Sequence, residues 1–94
     1  MKEAYLEVTY RHGRPLAAYF CLPGNGRPKS VRTRRVDPGL IIDLSAKGEP
    51  LGIEITAPAK LTVTALNRVL RDLGFAPVRR ADLAPLRAPR VANS

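Results

Sequence analysis

Five short strand-like stretches, most of them alternating between polar and apolar residues, come before a single stretch with helical spacing, and this order constrains the fold most. Alternation over a few residues is typical of half-buried strands. The predicted strands, divided by turns that contain glycine or proline, are residues 3–10, 16–22, 30–36, 40–44 and 51–55. The following stretch, residues 61–74, has apolar residues three or four apart, as on one side of a helix: Val63, Leu66, Leu70 and Leu73. Short connections favour antiparallel pairing, so we predict an α+β fold, a small antiparallel β-meander of about five strands with one C-terminal helix packed on the sheet.

Local signals refine this prediction at three places. The second strand is apolar on both faces, which predicts that it is central in the sheet or covered on both sides. The third strand loses its alternation near Arg34 and Arg35, which predicts a β-bulge there. At the helix, Thr62 or Thr64 can cap the first turn, and Gly74 suits the left-handed position after the last.

The chain length of 94 residues favours one domain, which we expect over residues 1–75. Residues 76–94 repeat proline, alanine and arginine, and they predict a basic tail that is partly disordered, with a short amphipathic turn around Leu83 and Leu86. A single cysteine excludes an internal disulfide. No apolar run approaches the ~20 residues of a membrane-spanning helix, and no signal peptide is evident, so we expect a cytoplasmic protein.

The formal net charge of +8 is distributed unevenly along the chain. It is +6 over residues 1–35, −2 over residues 36–60 and +4 over residues 61–94. Twelve of the sixteen basic residues are arginine, which binds phosphate and carboxylate groups with two hydrogen bonds. If the first three strands are adjacent, one candidate surface for an acidic partner or a nucleic acid contains Arg11, Arg14, Arg32, Arg34 and Arg35. The alternative is a basic surface that only keeps the protein in solution.

Residues suited to catalysis are scarce. His12 lies in a predicted turn and Cys21 in an apolar strand where packing would suppress its reactivity. Asp43 and Glu54 lie on neighbouring predicted strands and can share a face, where they could hold a cation or form an acid/base pair. The simpler interpretation is that both are solvated, with Asp37 or Asp43 paired to an arginine of the third strand. We therefore expect no catalytic, cofactor-binding or metal-binding residue.

The segment from Val36 to Ile55, VDPGLIIDLSAKGEPLGIEI, resembles the prokaryotic family of small proteins called DUF2283. The matching positions are Val36, Asp37, Pro38, Gly39, Ile42, Asp43, Gly48, Gly52, Ile53, Glu54 and Ile55. Tyr10 and the Ala18–Tyr19 pair around the first turn are similar as well, although that turn is acidic in many members and basic here. The resemblance implies a small β-rich fold without an assigned activity, and by analogy one half of a toxin–antitoxin-like pair.

A small sheet with one helix leaves one face uncovered, and a homodimer would bury the apolar residues on it. We therefore expect a non-enzymatic interaction module, a homodimer that binds an acidic partner, of which an antitoxin-like regulatory protein is one version. The alternative function is non-specific nucleic-acid binding by the arginine-rich surface.

Overall fold

The computed structural model describes residues 3–24 and 29–86, which form one sheet and one α-helix. The strands are β1 (Tyr5–Arg11), β2 (Arg14–Cys21), β3 (Arg32–Asp37), β4 (Leu40–Leu44) and β5 (Pro50–Ile55), and the helix is α1 (Val63–Leu73). Two 3₁₀ segments, Pro58–Lys60 and Arg80–Leu86, lie on either side of α1 in the chain. All strand pairs are antiparallel, so the predicted α+β class with five strands and one packed helix is confirmed. Among the described residues, no helix is long and apolar enough to cross a membrane.

The strand order in the sheet is β1-β2-β5-β4-β3, which differs from a sequential meander at one place. β2 pairs with β5 rather than with β3, and β3 forms an edge. The composition of β3 explains this position, because its first five residues are exposed and three of them are arginines. Such a strand cannot lie between two others without burying charge, whereas an edge leaves its side chains in water.

Two tight turns set the register of the outer hairpins. The β1–β2 turn has positive φ at both His12 (54°) and Gly13 (77°), as a two-residue hairpin turn of the right twist requires. In the β3–β4 hairpin the register shifts between Arg35 and Asp37, so the bulge lies one residue beyond the predicted position. Val36 is the extra residue of this bulge, and both Val36 and Asp37 line the same groove as Arg34.

The helix is bounded by the signals expected from the sequence. The hydroxyl of Thr62, rather than that of Thr64, accepts a hydrogen bond from the Ala65 N–H at 3.1 Å. Gly74 follows α1 with φ of 85°. Leu66, Val69 and Leu70 are buried against the sheet, so α1 covers one face, which we call the helix face.

The packed domain continues beyond residue 75. Leu83 and Leu86 are 1% and 2% exposed and belong to the hydrophobic core. The Asn67 side chain accepts a hydrogen bond from the Val78 N–H at 2.8 Å and donates one to the Val78 carbonyl at 3.1 Å. Residues 76–86 thus belong to the packed domain rather than to the expected tail. Residues 87–94 of that tail lie outside the described residues.

Candidate functional site

The sheet face opposite α1, which we call the open face, carries a polar cluster at its centre. The Tyr19 hydroxyl on β2 donates a hydrogen bond to Asp43 Oδ2 on β4 at 2.9 Å. Glu54 on the intervening strand β5 lies directly opposite Tyr19. The cluster thus joins three neighbouring strands through side chains, in addition to the backbone ladder.

Gly52 makes this contact possible. It lies on β5, opposite Asp43 on one side and Cys21 on the other. A Cβ atom at this position would collide with the ring and hydroxyl of Tyr19. The missing side chain therefore lets the tyrosine ring lie across the β5 backbone and reach Asp43. A glycine inside a strand is a known signal of such a close approach, and Gly52 is the sequence feature that could have indicated this contact.

The surroundings of the cluster perturb two of its groups. Burial raises the pKa of the Glu54 carboxyl, and the charge of Asp43 and a hydrogen bond with it raise that pKa further. Burial also raises the pKa of Tyr19, followed by its hydrogen bond to Asp43. Tyr19 is therefore a hydrogen-bond donor at neutral pH, and Glu54 takes up a proton more readily than an isolated glutamate.

The prediction that Asp43 and Glu54 share a face is correct, whereas the solvated interpretation of Asp43 is wrong. Asp43 is only 8% exposed, it accepts a hydrogen bond from the Tyr19 hydroxyl, and no arginine of the described residues pairs with it. In residues 3–24 and 29–86, no group of three or more His, Cys, Asp or Glu side chains is placed to hold a metal ion. The arrangement of one hydroxyl donor between strands and two carboxyls is suited to cross-linking the sheet.

His12 and Cys21 do not meet. Cys21 pairs with Tyr5 at one end of the β1–β2 hairpin, and His12 lies in the turn at the other end. Cys21 is half-buried on the open face rather than packed in the core as expected. The pair therefore lacks the contact that a thiol–imidazole nucleophile needs.

The five candidate arginines form two groups instead of one. Arg11 and Arg14 face each other across the β1–β2 turn. The other three lie on β3 at the opposite edge of the sheet. The assumption that the first three strands are adjacent is therefore wrong, since β5 and β4 lie between β2 and β3.

The arginines of β3 also point to different faces. Arg34 lies opposite Ile42, whose side chain is in the core, so Arg34 projects on the helix face together with Arg32. Arg35 lies opposite Ile41 and projects on the open face. Within the described residues, none of these three arginines forms an ion pair; the pair that occurs there joins Arg79 and Asp82.

A groove of about 150 Å³ lies where β3 meets α1 on the helix face. Its apolar wall is formed by Ile42, Val69 and Leu73. Its charged rim is mixed, with Arg34 and Arg68 beside Asp37 and Asp72. Charged and apolar surfaces thus occur side by side next to the outer edge of β3. No sequence signal indicates this groove, because it forms only where the edge strand β3 and the helix α1, which are distant in sequence, lie next to each other in the fold.

Comparisons of this chain with protein-family models, with curated proteins and with solved structures find no match. The resemblance of residues 36–55 to DUF2283 therefore stays a prediction, and the geometry of the open face and of the edge strand β3 carries the functional argument.

Proposed function

We propose that this protein is a non-enzymatic interaction module that binds an acidic partner at β3 and forms a homodimer through its open face. The observation that carries the proposal is the arginine-rich edge strand β3. Arg32, Arg34 and Arg35 are exposed, and among the described residues no carboxylate forms an ion pair with them. Arginine at such a site can form charge-assisted, bidentate hydrogen bonds with carboxylates.

A protein partner is favoured over a nucleic acid by the separation of the two arginine groups. A phosphate backbone bound non-specifically would be expected to use the basic residues as one continuous track. Here Arg11 and Arg14 lie at the edge formed by β1 and β2, three strands away from β3. The β3 group alone is a compact, strand-shaped surface that matches a short acidic segment.

The same distribution supplies a matched experiment. Fluorescence anisotropy with labelled poly-glutamate as the probe should show salt-dependent binding that the Arg32→Glu/Arg34→Glu variant loses and the Arg11→Glu/Arg14→Glu variant keeps. Both variants change the net charge equally, so a difference between them reports position rather than total charge. Equal losses, or no binding of poly-glutamate, would contradict the proposal; tight binding of duplex DNA that both variants weaken equally would support the nucleic-acid alternative instead.

The homodimer is supported by a row of side chains that crosses the open face. From one edge of the sheet to the other, the directly opposed residues are Glu7, Tyr19, Glu54, Ile41 and Arg35. The row is acidic at the β1 edge, basic at the β3 edge and partly apolar between them. If two copies stack with a two-fold axis parallel to the strands, Glu7 of each copy faces Arg35 of the other. The surface is therefore complementary to itself, and stacking would cover the half-buried Ile41 and Cys21.

A further inference from the structure

We infer that the outer edge of β3 takes up an extended acidic segment of a partner protein as a sixth, antiparallel strand, with one aliphatic side chain of that segment in the β3–α1 groove. This inference rests on the proposed function and specifies the acidic partner by its conformation and sequence pattern. The pattern is an aliphatic residue followed, two and four positions later, by acidic residues. Three features of β3 and its surroundings lead to it.

The first feature is the direction of the backbone groups of β3. Thr56 N–H donates to the Gly39 carbonyl at 3.0 Å, which continues the ladder between β5 and β4. Because bonded residues alternate along an antiparallel ladder, Ile41 and Asp43 bond to β5, and Leu40, Ile42 and Leu44 bond to β3.

The partners of Ile42 and Leu44 on β3 are Arg34 and Arg32, whose backbone groups are thus turned inward. Thr33 lies between these two arginines and Arg35 follows Arg34. The N–H and C=O groups of Thr33 and Arg35 therefore point to the outer edge of the sheet. These groups are a template for one more strand, and main-chain hydrogen bonds of this kind supply affinity in strand-addition complexes.

The second feature is the position of the arginine side chains relative to this template. Arg32 and Arg34 would face the added strand at its non-hydrogen-bonded positions, where opposed side chains come closest. Both project on the helix face. Two acidic residues of the added strand that are separated by one other residue would therefore lie directly beside the two guanidinium groups.

The third feature is the groove, which determines the side chain that fits beyond Arg34. Val36, which is 38% exposed, continues the helix-face side of β3 toward the apolar wall that includes Leu73. Asp37 and Asp72 line the same groove, and they would repel a third acidic residue there. An aliphatic side chain satisfies both conditions, and in an antiparallel segment it comes before the two acidic residues in the sequence.

A second copy of the chain is a poor occupant of this edge. Antiparallel pairing of β3 with β3 of another copy would bring arginines against arginines on the helix face, and like charges opposite each other destabilise a strand pair. The charge of the edge therefore selects a partner of opposite sign.

The inference is tested with the capped peptide Thr-Val-Thr-Glu-Thr-Glu-Thr. It is compared with a peptide of reversed order and with one of the same composition in which the two glutamates are adjacent. We expect the first peptide to bind the full chain about tenfold more tightly than either control, because only it aligns all three side chains with backbone bonding.

N-methylation of the peptide separates strand addition from charge attraction. Methylation of the two threonines that flank the first glutamate removes donors directed at Arg35 and Thr33, and it should weaken binding about tenfold or more. Methylation of the two glutamate nitrogens, which point away from β3, should have little effect. Equal effects at both pairs would overturn the added strand.

The matching change in the protein is Thr33→Pro, with Thr33→Val as the control that keeps the N–H. Proline is tolerated where an edge-strand N–H faces solvent, and it should abolish the preference for the first peptide while poly-glutamate binding persists. If the three peptides bind alike and Thr33→Pro changes nothing, the inference is wrong although the acidic docking of the proposed function stands. If neither the peptides nor poly-glutamate bind, the inference and the proposed function are both wrong. If Thr33→Pro does not fold, the series of N-methylated peptides tests the added strand in its place.

Discussion

Tyr19 and Asp43 lie on strands that are not neighbours, yet the tyrosine hydroxyl hydrogen-bonds the aspartate at 2.9 Å across β5. The bond satisfies a carboxylate that is almost completely buried on an otherwise open sheet face. It depends on a strand position without a side chain, Gly52, directly beneath the tyrosine ring.

This dependence predicts the effect of Gly52→Ala. The added methyl group would displace the Tyr19 ring and break its bond to Asp43, so we expect a loss of about 2–3 kcal/mol in the free energy of unfolding. Tyr19→Ala should lose stability as well, but Gly52→Ala should cost much less in a Tyr19→Ala background. Urea denaturation of the two single variants and the double variant measures this coupling, and additive losses would show that the ring does not constrain residue 52.

Glu54 should make the stability of the fold depend on pH. Its pKa is raised in the folded protein, by burial first and by Asp43 next. The folded state therefore holds the proton more tightly than the unfolded chain, and this contribution to stability is lost as pH rises through the folded pKa.

Glu54→Gln should consequently stabilise the protein at pH 7, by up to about 1 kcal/mol, and change little at pH 3, where the carboxyl is protonated in both states. Urea midpoints at the two pH values provide the measurement. Glu3→Gln, a change of equal charge at an exposed position, is the matched control. A gain at pH 3 as large as that at pH 7 would rule out the proton linkage.

The proposed homodimer predicts a charge-exchange pattern. Glu7→Arg and Arg35→Glu should each weaken association about tenfold, because each places like charges at both ends of the row across the open face. The double variant restores opposite charges and should recover association. Sedimentation equilibrium measures the dissociation constants, with Arg14→Glu as a charge control away from the row; a monomer of 10.3 kDa at all concentrations would refute the dimer.

The segment after α1 should contribute to the stability of the whole domain. Leu83→Ala removes a side chain that is 1% exposed in the core, and we expect a loss of about 2–4 kcal/mol. Arg80→Ala, an exposed change in the same 3₁₀ segment, should stay within about 0.5 kcal/mol. Thermal unfolding monitored by circular dichroism compares the two, and equal melting temperatures would show that this segment is not part of the core.

The features that could be predicted from sequence are those set within one element or one turn. Alternation in residues 40–44 and 51–55, the cap at Thr62 and the stop at Gly74 all depend on neighbours along the chain. They give the strands, the helix and the shared face of Asp43 and Glu54.

The features that were missed depend on residues distant in sequence. The position of β3 at an edge follows from competition among strands for the place beside β2, and a local pattern does not report that competition. The Tyr19–Asp43 bond needs both strands beside β5 to be known. The short turn expected around Leu83 and Leu86 is present as a 3₁₀ segment, but its burial in the core depends on contacts with distant strands and is not indicated by the recurring proline and arginine of residues 76–94.

The strand order also has a consequence for how the chain reaches its native state. The sheet consists of two locally connected units, the β1–β2 hairpin and the β3–β4–β5 meander, which meet along the seam between β2 and β5. Each unit can form from contacts close in sequence, whereas the seam joins residues more than thirty positions apart, such as Ala18 and Ile55. Because loop-closure entropy opposes such distant contacts, we expect docking of the two units to be the slow step of folding. The Tyr19–Asp43 bond crosses this seam, so it can form only when the two units have docked.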